Sequence, residues 1–138
     1  MGEFTPYLFF NGNCADALGF YKVCLGGEVE ITKVSDSTIK DQMPKEIQDK
    51  VIYAHFKSGA IEFSASDWIH PTRMPKQGNT VCLYYGGPND EIKKVFDRLA
   101  EGADKATIDH LSKQFFGLYG ALTDKYGVRW MFKGDNQD

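Results

Sequence analysis

The sequence predicts an α+β chain in which one β-α-β-β-β module is written twice, and three observations carry this. With no gap, the shift that lays Leu83 on Leu8 also lays Tyr84 and Tyr85 on Phe9 and Phe10, Gly87 on Gly12, and Gly102 on Gly27. Under the same shift Ala17, Phe20, Tyr21, Cys24 and Leu25 meet Ile92, Val95, Phe96, Leu99 and Ala100, so both copies show the apolar face of a helix. Each strand-turn-helix unit is then followed by three runs with strand character. One helix per half covers one side of a sheet, which leaves the other side free to curl round a cavity.

Tyr7 to Phe10 is a short aromatic run that suits a strand, and Pro6 is tolerable at its start. Asn13 is expected to cap the first helix, with Asp16 as a weak capping box, and Gly26 and Gly27 to end it. Val29 to Val34 alternates apolar and polar as a half-buried strand does. Residues 35–50 are charged and aperiodic; they read as a loop with a helical turn near 45–48, placed as a mobile flap over a pocket. VIYAHFK and AIEFSASDW follow as two strands joined by a tight turn at Ser58-Gly59.

Residues 69–79, with two prolines and a glycine, read as a connector. Thr80 to Tyr85 repeats the opening strand, Asn89 is expected to cap the second helix, and Gly102 to stop it. The last strands fall near 105–110, 117–123 and 128–133, with DKYG turning at 124–127. The expected organisation is one domain over 1–138: module one at 4–68, a linker at 69–78 and module two at 79–134.

At 138 residues the chain can bury a core without disulfides or metal staples. A formal charge of -3 with no cluster of Lys and Arg argues against a nucleic-acid partner. Cys14, Cys24 and Cys82 form no CxxC and suit reduced thiols. Cys14 falls in the first turn of a helix, where the dipole can lower a thiol pKa, yet no His or Asn accompanies it at a recognisable spacing; a small buried residue is the plainer reading. MGEFTPYLFF has no basic residue before its short apolar run, so neither a signal peptide nor a membrane span is read there and a cytoplasmic protein is expected.

The opening PYLFFNGNCADALGFYKVCLGGE, the hairpin ending in SASDW and the closing QFFGLYGALTDKYGVRWMF resemble the vicinal oxygen chelate superfamily, which holds glyoxalase I, bleomycin-resistance proteins, fosfomycin-modifying enzymes and extradiol dioxygenases. Within it the chain is most similar to the PhnB-like branch, over nearly its full length from Thr5 to Phe132. The resemblance implies the glyoxalase/bleomycin-resistance fold, two βαβββ modules whose sheets curl round a cavity, assembled as a homodimer.

In metal-dependent relatives a divalent ion is held by His and Glu side chains from four strands. Carried over, those positions fall near Pro6 or Tyr7, on Glu62, on Thr80, and on Met131 or Trp130. Only Glu62 is a usable ligand. No metal site is therefore expected and no cofactor is implied, with a divalent metal kept as the alternative.

His55 lies on the strand before Glu62, across the Ser58-Gly59 hairpin, and the two are candidate catalytic residues as an acid-base couple. The plain alternative is an ordinary cross-strand pair of a histidine and a carboxylate. Tyr53, Trp68, Phe115 and Phe116 are candidate ligand-binding residues, stacking surfaces for a flat or apolar molecule. His70, before Pro71, reads as a surface residue, and His110 sits on a strand of the second module. Asp67 and Asp124 read as turn-makers.

Three functions fit these readings. The first is a dimeric protein that holds a small apolar or aromatic molecule in the cavity without a metal. The second is a lyase, isomerase or transferase of the same superfamily, using a divalent metal or the His55–Glu62 pair. The third is an interaction domain with a vestigial pocket; fold alone names no reaction.

Overall fold

A computed structural model describes residues 2, 4–70, 72–73 and 81–135. The chain divides into two compact units, Met1–Lys76 and Gln77–Asp138. In the first, β1 (Tyr7–Phe10) leads into α1 (Cys14–Leu25), and β2 (Glu28–Lys33), β3 (Val51–Ser58) and β4 (Ile61–Asp67) follow. The strand order is β1-β4-β3-β2, with β1 parallel to β4 and the other pairs antiparallel.

The second unit repeats this with β5 (Cys82–Gly87), α2 (Asn89–Leu99), β6 (Asp109–Gln114), β7 (Gly117–Thr123) and β8 (Arg129–Gly134). Its order is β5-β8-β7-β6, with β5 parallel to β8. The repeat in the sequence is a repeat of topology, and the α+β class with tandem βαβββ modules is what the chain adopts.

Alternation along the strands decides which side chains meet the helices. In the first unit Ala54, Phe56, Phe63 and Ala65 are buried together with Ala17, Leu18, Tyr21 and Cys24 of α1. The Tyr21 ring stands edge-on to Phe63 at 6.0 Å. In the second unit Ile92, Val95, Phe96 and Leu99 are buried with Leu122, Trp130 and Phe132. Each such large side chain contributes roughly 1.5–3 kcal/mol by leaving water. Gly27 is required where α1 hands over to β2: its φ is +100°, and a Cβ there would lie 2.3 Å from the Lys57 carbonyl oxygen.

Several local expectations are corrected. Asn13 stands at the helix N-cap without a side-chain bond, and the expected box with Asp16 does not form. The cap comes instead from Asp67 at the end of β4. Its Oδ1 accepts from the Cys14 N–H and its Oδ2 from the Val51 N–H, both at 2.9 Å, so this residue ties β4 to α1 and β3 and is more than a turn-maker. Pro88, not Asn89, is the N-cap of α2. The sixth strand starts at Asp109 because Asp104 turns the preceding chain, its carboxylate accepting from the Ala106 N–H and the Thr107 hydroxyl. Asp124 does make its turn, accepting from Tyr126 N and Val128 N, and also holds the buried Trp130 indole at 2.9 Å.

The stretch expected as a flap is built from short 3-10 turns at Val34–Asp36, Lys40–Gln42 and Lys45–Ile47. The Gln48 side-chain amide gathers it, with Nε2 at 2.8, 3.1 and 3.4 Å from the carbonyl oxygens of Lys40, Met43 and Pro44. Thr80 and most of the expected linker lie outside the described residues. Among the described residues no helix is long and apolar enough to cross a membrane.

Candidate functional site

Two adjoining clefts open in the first unit. One, of about 420 Å³, is lined by Phe9, Ile52, Ser66, Asp67, Trp68, Ile69, His70 and Arg73. The other, of about 430 Å³, lies between Ile69, His70 and the 3-10 segment, which presents Met43, Pro44, Glu46 and Ile47. Ile69 and His70 line both. The charged loop does border a cleft, as its position in the sequence suggests.

The parallel pairing of β1 with β4 builds the first cleft. It sets Phe9 opposite Ser66, and the ladder runs on through the Trp68 N–H, which donates to the Phe10 carbonyl at 2.7 Å. Period-two alternation then puts Phe9, Ser66 and Trp68 on the face away from α1. The Phe9 ring stands edge-on to the Trp68 indole at 5.0 Å, and the His70 ring lies 5.1 Å from that indole, tilted by 55°. Trp68 Nε1 donates to the Arg73 carbonyl at 2.5 Å, which folds the chain back over the ring. Aromatic edges and aliphatic side chains make the wall; the polar groups are few, as in a small-molecule site.

On the same face of the sheet, His55 Nε2 lies 2.6 Å from Glu62 Oε2. The antiparallel register places His55 opposite Ser64 and Lys57 opposite Glu62, so the pair is a diagonal across the hairpin. Tyr53 Oη is 3.3 Å from Ser64 Oγ beside it, and Glu30 is the register partner of His55 on β2. The side chains of His55 and Glu62 are 26% and 38% exposed, so solvent reaches the couple.

Of the sequence candidates, the structure brings His55, Glu62 and Tyr53 together on one strand pair and sets Trp68 in the wall of the cleft. Phe115 and Phe116 form their own edge-to-face pair, 4.9 Å apart, at the β6–β7 turn of the second unit, where Phe116 also meets Tyr119. Phe9, Ile52, Ile69, His70 and Arg73 line the first cleft beyond the aromatic residues that the sequence marks for ligand binding. A period-two reading of β1 and β4 together would have found Phe9; His70 and Arg73, on irregular chain after a strand, carry no such signal.

Of the positions carried over for a metal, Thr80 lies outside the described residues, and Tyr7, Trp130 and Met131 bring no His, Cys or carboxylate. Tyr7 is 43% exposed on an edge strand, Trp130 is 1% exposed with its indole on Asp124, and Met131 is the remaining alternative on β8. Among the described residues no three His, Cys, Asp or Glu side chains converge to hold an ion. Cys14 is fully buried, and desolvation, then the nearby Asp67 carboxylate, push its thiol up to about 12, which disfavours the thiolate there.

A family model described as 3-demethylubiquinone-9 3-methyltransferase matches residues 2–132. The chain belongs to that family. It is 29% identical to Protein YjdN of Escherichia coli (strain K12), over 92% of this chain and 91% of the relative. Protein PA1353 from Pseudomonas aeruginosa is 29% identical with a TM-score of 0.83, covering 98% of each chain. A putative 3-demethylubiquinone-9 3-methyltransferase, PhnB protein, from Bacillus cereus is 25% identical with a TM-score of 0.73, covering 96% of this chain and 99% of its own. The PhnB-like resemblance fits these relatives. A glyoxylase/bleomycin resistance protein/dioxygenase domain from Frankia, 12% identical over 99% of this chain and 94% of its own, shares the fold with a TM-score of 0.66.

Proposed function

We propose that this chain binds a small, flat, apolar or aromatic molecule against Trp68, without a metal. The observation that carries the reading is the first cleft itself: about 420 Å³ walled by the Phe9–Trp68 pair, Ile52, Ile69 and His70. A single- or two-ring ligand suits that volume and could stack on the aromatic wall. The family's description names a demethylated ubiquinone, which carries a flat ring and an apolar tail; that chemistry is compatible with the cleft. The protein acts in this reading as a cytoplasmic homodimer.

The test is calorimetric titration with 2-naphthamide, a flat neutral probe, against the wild type and Trp68→Ala. Saturable binding that weakens at least about ten-fold in the variant supports the reading, since a stacked aromatic anchor carries that much affinity. Equal affinity in both proteins would place binding elsewhere.

A second reading is favoured by the 2.6 Å His55–Glu62 contact, an acid-base couple on the same sheet face. In that reading the carboxylate orients the imidazole, whose other nitrogen is left to take or give a proton. It predicts a turnover that Glu62→Gln slows and Trp68→Ala affects through substrate binding.

A further inference from the structure

Resting on the cleft-binding reading, we propose that the ligand is an aromatic or apolar organic anion, with a carboxylate or phosphoryl group held by Arg73. Arg73 lines the first cleft, and its backbone is tied to the wall through the Trp68 indole bond. Its side chain has one polar contact among the described residues, Nη2 at 3.4 Å from His70 Nε2. There the guanidinium donates and the imidazole accepts. Among the described residues no carboxylate forms an ion pair with Arg73; the ion pairs seen there, His55–Glu62 and Arg129–Asp109, lie elsewhere. A guanidinium with most of its N–H groups uncommitted, beside an apolar wall, matches a planar or tetrahedral anion on an apolar body.

The carboxylates nearby do not compete for that role. Asp67 also lines the cleft, but it is 4% exposed and each oxygen accepts a backbone N–H. Glu46 lines only the adjoining cleft, on the other side of Ile69 and His70. Its negative charge disfavours an anion at that end. The two clefts thus set a polarity: the charged group at Arg73, and the apolar body across Ile69 and His70 toward Met43 and Ile47.

The experiment compares 2-naphthoate with 2-naphthamide, probes of one shape that differ in charge, on the wild type, Arg73→Gln and Arg73→Lys. The Arg73 side chain is exposed, so the variants keep the fold. The wild type is expected to hold 2-naphthoate at least about ten-fold more tightly, the worth of a charge-assisted pair. Arg73→Gln is expected to weaken 2-naphthoate at least about ten-fold and so erase its preference over the amide; Arg73→Lys keeps part of the preference, and added salt shrinks it. Equal affinities in the wild type, or a preference intact in Arg73→Gln, overturn the anion inference. If the amide still binds in a Trp68-dependent way, the cleft reading survives that result; if neither probe binds, both fall.

Discussion

Asp67 and Cys14 are joined by a bond that spans 53 positions of sequence: the carboxylate at the end of β4 caps the first amide of α1. With its other oxygen it takes the Val51 amide at the start of β3, so one buried side chain holds three elements and forms part of the floor of the first cleft. The carboxylate's charge also suits the positive end of the helix dipole.

Replacing Asp67 by Ala is expected to cost about 3 kcal/mol, because two buried amides lose a charged acceptor. Asp67→Asn, which turns an NH2 toward one of those amides, is expected to cost about 2 kcal/mol. Urea denaturation of both variants checks this. A loss below about 0.5 kcal/mol would show that water or Asn13 replaces the carboxylate without strain.

The fold was legible in the sequence wherever periodicity governs. The helix faces of Ala17-Tyr21-Cys24 and Val95-Phe96-Leu99, the hairpin glycine Gly59 and the turn at Asp124 are local signals, and they yield the βαβββ order; Phe20, read as part of the first face, is only half-buried, and Leu18 takes its place in the core. The Asp67 cap was not legible, since a long-range bond leaves no trace beside Asn13, which looks like a cap by itself. The sequence put His55 and Glu62 on one face of the hairpin, but a turn at Ser58-Gly59 would set them directly opposite; the turn is at Gly59-Ala60, which makes the pair a diagonal. The cleft was read only in part: Trp68 stood out as an aromatic at a strand end, whereas Phe9 and Arg73 reach it through a parallel pairing and an irregular segment.

His55 Nε2 faces the Glu62 carboxylate and is therefore expected to carry the ring proton when the imidazole is neutral. Long-range proton–nitrogen spectra should show the Nε2–H form in the wild type and a weaker preference in Glu62→Gln. Because solvent reaches the pair, the same variant should change stability by less than about 1 kcal/mol. An Nδ1–H form in the wild type would contradict the contact.

Stability is expected to fall on the alkaline side. The Cys14 thiol is raised from 9.0 to about 12, by desolvation first and the Asp67 carboxylate second. Between those values the unfolded chain has released the proton and the folded chain has kept it, so the unfolded state binds fewer protons. The contribution is whole below pH 9 and is lost as pH climbs toward 12. Tyr85, raised from 10.0 to about 12 by desolvation and then by its bond to Glu91, adds a loss of the same sign. Denaturation midpoints measured across this range should decline less steeply in Cys14→Ala; identical slopes would count against the buried thiol.

Gly27 allows α1 to pass close over the β3–β4 hairpin, and Gly27→Ala is expected to cost at least about 2 kcal/mol from positive φ and the clash with the Lys57 carbonyl together. Thermal denaturation beside Gly26→Ala checks it, since a Cβ at Gly26 would meet nothing within 4 Å although its φ is also positive. Equal losses at the two positions would remove the role assigned to close approach.

The two tryptophans allow the binding site to be located in one spectrum. Trp68 lines the cleft, while Trp130 is 1% exposed with its indole N–H on Asp124. Titrating 2-naphthamide into nitrogen-15-labelled protein, with the indole signals assigned through Trp68→Phe, should move the Trp68 indole resonance saturably and leave Trp130 in place. A Trp68 signal that stays fixed while the probe binds would contradict the account.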